Sequence, residues 1–288
     1  PKTSILWSPR VGFNWDVTGN KETQVRGGVG IFAGAPPFVW ISNQASNNGV
    51  DFGSFVVSTA GDPRLAFNPD VNASRPVNAA ANTSYNLAVS DKGFKFPQLF
   101  RTNLAVDQKL PLDIVATLEG IFSKDVNAVY HQNVNLPSTG TALVGSDKRI
   151  RYSSTKIYSG AGGTTATNPN ISDAILMKNT SKGYSYNVTL QLQRNVNNFY
   201  TMIAYSYGKS KSVNDGGSIA QSIWRDRFVS GDPNSDAVSY SNFNQPHRVV
   251  ASAFYRKEYA KYLATSVGFT MEAANGGTAR LQAVLPTP

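Results

Sequence analysis

The sequence predicts an all-β protein, an antiparallel transmembrane β-barrel of which about eight strands are present. Three observations predict it. Apolar and polar residues alternate with a two-residue period from end to end, the connections between these stretches are alternately short and long, and aromatic residues gather near the ends of the stretches. Alternation matters because successive side chains of a strand point to opposite faces, so each stretch has one apolar and one polar face.

The first strand runs from Arg10 to Val17, with Val11, Phe13, Trp15 and Val17 against Arg10, Gly12, Asn14 and Asp16. Further strands are expected at 23–32, 99–109 and 114–124. The clearest follows at 184–193, where Tyr184, Tyr186, Val188, Leu190 and Leu192 alternate with Ser185, Asn187, Thr189, Gln191 and Gln193. Strands at 199–209 and 246–256 come next, the latter opened by Pro246, which costs no ladder bond there. In the last, Leu263, Thr265, Val267, Phe269 and Met271 oppose Ala264, Ser266, Gly268, Thr270 and Glu272. Val115, Ile121, Val250 and Phe254 fall on faces that are otherwise polar.

Short links follow the odd-numbered strands: Thr18 to Glu22, Leu110 to Asp113, Asn195 to Asn198, and Lys257 to Tyr262, all rich in turn or charged residues. The others, at 33–98, 125–182 and 210–245, are long and rich in Asn, Ser, Gly and Pro, a length uncommon in compact soluble domains. Tight turns on one side and extended loops on the other are the pattern of outer-membrane barrels, with periplasmic turns and extracellular loops. Lipid holds no water to satisfy backbone groups, so irregular backbone is kept to the ends. Strands of about ten residues span the bilayer at a tilt of about 45°. The aromatics Trp7, Trp15, Tyr184, Tyr186, Tyr205, Tyr207, Tyr255, Tyr259 and Tyr262 suit its headgroup boundary. In a soluble β-sandwich the same alternation would bury them; the loop asymmetry favours the membrane.

Composition narrows the function. Hydrophobic residues make up 41% of the 288, and no run of eighteen apolar residues offers a transmembrane helix. The absence of cysteine excludes disulfides, thiol catalysis and cysteine metal sites. The net charge of +9 comes from dispersed Lys and Arg, with no block of five, and argues against a nucleic-acid partner. No apolar h-region follows Pro1.

No motif for catalysis stands up. His131 and His247 lie far apart, so a histidine zinc site is not expected. Gly28-Val29-Gly30 with Gly34 has glycines like a nucleotide fingerprint, but no helix pattern follows and a glycine-containing strand is the better reading. Gly208-Lys209-Ser210 has Ile203 where a Walker motif needs its first glycine. The loop from Ser212 to Ser241 holds Asp215, Asp226, Asp232 and Asp236 with Gly216, Gly217 and Gly231, a composition suited to calcium but without EF-hand spacing. With no convergent nucleophile, base and orienting group, the expectation is a non-enzyme with no cofactor, metal or catalytic residue.

Four segments carry a family resemblance: Ser8 to Asp16 (SPRVGFNWD), Gln24 to Phe32 (QVRGGVGIF), Arg101 to Pro111 (RTNLAVDQKLP) and Gly216 to Asp226 (GGSIAQSIWRD). They resemble the barrel of TonB-dependent outer-membrane receptors, particularly the Oar-like subgroup with a carboxypeptidase-regulatory-like domain. The resemblance implies a barrel of about twenty-two strands closed by a plug and energised through TonB, for uptake of a bulky solute across the bacterial outer membrane. Neither a plug, a TonB-contacting box near Pro1 nor a closing aromatic-ended strand is found, so residues 1–288 are expected to be an internal part of one barrel domain. A passive porin-like channel and a surface-exposed binding or adhesion protein are the alternative functions.

Two loop clusters are candidates for touching the solute, because exposed Trp and Arg often anchor partners: Phe38, Trp40, Asn43 and Gln44, and Trp224, Arg225 and Arg227. Packing among loops, or contact with lipopolysaccharide phosphates, is the plainer reading of the same residues. Arg10, Asn14, Asp16, Arg26, Glu119, Gln191, Arg248 and Glu272 are expected to face a hydrated lumen. The expected partners are outer-membrane lipid and lipopolysaccharide, the TonB system through the plug, and an unidentified solute.

Overall fold

The computed structural model describes residues 5–51, 66–73, 85–136, 140–146, 148, 150–151, 171–227, 232–260 and 263–275. In chain order the elements are β1 (Arg10–Asp16), β2 (Thr23–Ala33), α1 (Phe38–Ser46), β3 (Tyr85–Ser90), β4 (Gln98–Leu110) and β5 (Ile114–Asn133). Then follow β6 (Thr141–Ala142), β7 (Ile150–Arg151), β8 (Ile171–Thr180), β9 (Tyr184–Val196) and β10 (Phe199–Ser212). The last are α2 (Ala220–Arg225), β11 (Ser239–Tyr240), β12 (His247–Ala260) and β13 (Leu263–Ala274). Tyr262 and Gly231 lie outside the described residues.

Eight strands form one continuous antiparallel sheet in the order β1-β2-β4-β5-β9-β10-β12-β13. The turn-joined pairs β1–β2, β4–β5, β9–β10 and β12–β13 leave all long connections at the opposite end. Register gives the two faces. One row reads Trp15, Val25, Val106, Leu118, Leu190, Tyr205, Val249 and Ala273 across the eight strands. The next reads Asp16, Gln24, Asp107, Thr117, Gln191, Ala204, Val250 and Glu272.

The apolar face is uncovered. Leu190 is 50% exposed, Phe269 65% and Val11 71%, all on this one side. A soluble sandwich packs its apolar face against a second sheet and buries such side chains; this sheet presents its own to the surroundings, as a barrel presents its outer surface to hydrocarbon. Along β10 the outward positions from Phe199 to Lys209 cover about 34 Å of strand, or about 26 Å of height at a tilt of about 40°, close to the apolar band of an outer-membrane barrel.

At the long-loop end the structure departs from the expected loops. β5 continues to Asn133 and β10 to Ser212, beyond the expected ends at 124 and 209. A register shift at Gln98/Leu99 pairs them with Asn127 and Asp125, leaving Val126 as the extra residue of a bulge. Bulges bend strands, and beyond it β5 leaves β9 to pair with β8, from Ala128↔Thr180 to Asn133↔Ile175. β3 adds to β8 in parallel. Helix α1 corrects the expectation that no helix follows the glycines of β2. Gly28 and Gly30 nevertheless lie within the ladders to β1 and β4, away from its N-terminus, so the strand reading of these glycines holds. Gly27 is required by close approach: a Cβ there would lie 2.9 Å from the Asn103 carbonyl oxygen and 2.9 Å from the Phe13 ring.

Candidate functional site

The described loop segments pack into a cap. Trp40 of α1, Phe94, Val129 of β5, Met177 of β8 and Ile223 of α2 form a buried apolar cluster, with Val39 against it. Each large side chain so buried contributes about 1.5–3 kcal/mol, which holds segments far apart in sequence. Asparagine joins the backbones. The Asn133 amide donates to Asp173 at 2.8 Å and its Oδ1 accepts from the Asn135 and Ala174 N–H groups at 3.0 and 3.2 Å. Asn234 accepts from the Asn133 N–H at 2.8 Å and the Trp224 indole at 3.0 Å, and donates to the Asn133 carbonyl at 2.9 Å. Sequence reasoning missed these asparagines, because Asn-rich stretches read as solvated loop.

The solute-contact candidates divide. Trp40 is 7% exposed, donates its indole N–H to the Ser218 carbonyl at 2.9 Å and packs edge-on to His131 with centroids 5.1 Å apart. Asn43 is also buried and accepts from the Ala220 N–H at 3.0 Å. These two, with the half-buried Trp224, hold loops to one another, whereas an exposed anchor would leave the indoles open. Gln44 and Arg227 are half-buried, and the Arg227 guanidinium donates to the Ser235 carbonyl. Phe38, 80% exposed, and Arg225, paired with Asp226 at 2.8 Å, remain on the surface.

The eight charged and polar wall residues, Arg10, Asn14, Asp16, Arg26, Glu119, Gln191, Arg248 and Glu272, share the face opposite the apolar one. Among them Arg26 pairs with Asp107 at 2.9 Å and reaches Glu119 at 3.5 Å, while the Thr117 hydroxyl donates to Asp107 at 2.6 Å. Arg248 pairs with Glu272 at 2.9 Å. Val250 lies in this face, opposite Ala204 and Glu272.

Where this face rises toward the loops it forms a concavity of about 720 Å³, lined by Arg101, Ser123, Asn187, Thr189, Ser206 and Arg248 among others. Thr189 and Ser206 hydroxyls lie 2.8 Å apart across β9 and β10. The lining offers many neutral donors and acceptors with the guanidinium groups of Arg101 and Arg248 and the carboxylate of Asp125, and Lys209 and Lys211 border it on β10, an arrangement suited to holding a polar, hydrated solute. Among the described residues no three His, Cys, Asp or Glu side chains cluster as metal ligands. Within the loop weighed for calcium, Asp226 pairs with Arg225, Asp236 with Lys182 at 2.6 Å, and Asp215 accepts from Ser212, so these carboxylates serve separate contacts.

The open apolar face, the opposing polar face and turns and loops segregated to the two ends define an outer-membrane β-barrel. The family model described as outer membrane beta barrel domain matches residues 2–276, and the chain belongs to that family, which places it in the bacterial outer membrane. Among curated proteins nothing matches the chain.

Proposed function

We propose that the chain is part of the barrel wall of a TonB-dependent receptor that takes up a bulky polar solute. The carrying observation is the concavity on the polar face directly beneath the packed loops. A solute entering from the loop side meets hydroxyls, amides, Arg101 and Arg248 before it reaches the ion-paired wall at Arg26, Asp107 and Glu119. The eight polar-face residues line the lumen in this reading. The family wording of the segments at Ser8, Gln24, Arg101 and Gly216 supports the energised receptor over an open channel. Among the described residues β1 and β13 do not pair with each other, and lipid tolerates no open sheet edge, so in this reading further strands complete the barrel, and the plug that the resemblance implies fills it.

Planar-bilayer recording of the protein expressed from its full reading frame tests this. A plugged receptor gives no steady conductance, and immobilised TonB periplasmic domain retains it. Stepwise open-pore conductance without TonB binding would instead establish the passive porin.

A further inference from the structure

We propose that the lipid-facing surface of β5, β9 and β10 carries a site for one phosphorylated, multiply acylated lipid of the outer leaflet, the chemistry of the lipid A part of lipopolysaccharide. At the loop end of the apolar face, register places Lys124, Tyr184 and Lys211 side by side on three adjacent strands. One step nearer the membrane centre, Phe122, Tyr186 and Lys209 repeat the pattern. Three ammonium groups thus stand on the face that otherwise meets hydrocarbon.

The lysines converge. Lys209 Nζ lies 5.7 Å and Lys211 Nζ 5.1 Å from the centroid of the same ring, Tyr240 of β11. None of the three makes an ion pair among the described residues. On the lumen side, by contrast, Arg26 and Arg248 each face a carboxylate. Lysines without an ion pair among the described residues, at the upper edge of a membrane belt, suit an anion in that plane, and the phosphates of outer-leaflet lipid lie there.

The surface below the lysines is dented rather than flat. Gly120 points outward between Leu104 and Val188, with nothing within 4 Å of the position a Cβ would take. A groove of about 370 Å³ opens there, walled by Leu104, Phe122, Tyr186 and Val188. An acyl chain fits this apolar slot while its headgroup phosphate meets the lysines of β5 and β10, which stand two to four residues above the level of Gly120. Charge and groove together select a phosphorylated lipid over a free anion, which has no use for the slot. The site is independent of what the barrel transports.

The test uses the full-length protein in neutral detergent, titrated with diphosphorylated lipid A, with the same lipid after phosphate removal, and with inorganic phosphate, and read by native mass spectrometry. The triple variant Lys124→Gln, Lys209→Gln, Lys211→Gln weakens lipid A binding at least about tenfold, and the triple Lys→Arg variant retains it. Gly120→Leu, which fills the slot, weakens binding at least about threefold. Folding is monitored by heat-dependent gel mobility, and single Gln variants replace the triple if it does not fold. Binding within about twofold of wild type in the folded Gln variants, equal binding of the dephosphorylated lipid, or displacement by equimolar phosphate would each overturn the site.

Discussion

His131 is 2% exposed, yet it sits in a part of β5 that has left the membrane belt to enter the loop cap. Burial, followed by the positive charge of Arg227, lowers its pKa from 6.5 to about 4. The unfolded cap therefore binds a proton more readily than the folded one. Stability contributed by the neutral imidazole is complete above pH 6.5 and is lost as pH falls toward about 4. Full protonation costs on the order of 3 kcal/mol, enough to open a local unit without unfolding the sheet. Hydrogen-exchange protection factors at α1 and β8 should fall as pH drops between these two values, and His131→Gln should flatten the profile. Asp236 separates the two sources of acid sensitivity. The hydrogen bond from Lys182 holds its carboxyl below the ordinary value, against an opposing effect of burial, so its contribution is lost only as pH falls below about 4. Protection factors unchanged down to pH 4.5 would remove His131 from this role.

Among elements, the β9–β10 hairpin shows how closely turn chemistry follows sequence. Asn197 and Asn198 have φ of 46° and 69°, the left-handed region that a two-residue hairpin needs at both central positions and that asparagine tolerates better than other side chains. Asn198→Ala should cost about 1 kcal/mol, whereas Asn198→Gly should be neutral or better, read as urea midpoints for refolding into detergent. This turn was legible in the sequence, as was β9, because each depends on local residues and one open face. The cap was not. In β8, Ile171, Ala174, Ile175, Met177 and Thr180 are all buried, so both faces are covered and no alternation marks the strand. Helix α1 begins after Pro37 with no side-chain cap and buries only Trp40 and Asn43, too little for a helical period to show. The extension of β5 past Lys124 depends on pairing with β8, a strand distant in sequence that meets it from Ala128↔Thr180 to Asn133↔Ile175, so no local pattern marks it. The candidate site divided along the same line: the wall residues followed from alternation, while the burial of Trp40 and Asn43 followed from contacts between distant segments.

At the scale of the whole molecule, neighbouring residues of one strand meet different solvents, and this sidedness makes the strongest demand on the fold. Leu190 lies in the apolar row between Leu118 and Tyr205, and Gln191 in the polar row between Thr117 and Ala204. An arginine at position 190 must leave water for hydrocarbon, at a cost of about 2–4 kcal/mol near the bilayer midplane. At position 191 it stays hydrated, and the change should remain within about 0.5 kcal/mol, as for surface substitutions elsewhere. Refolding of Leu190→Arg and Gln191→Arg into lipid vesicles, followed by guanidinium titration, measures both. A lipid-facing row requires the first to be destabilised several times more than the second. If both substitutions shifted the midpoint equally, hydrocarbon would not be the solvent of the face that carries Trp15, Leu118, Leu190 and Tyr205.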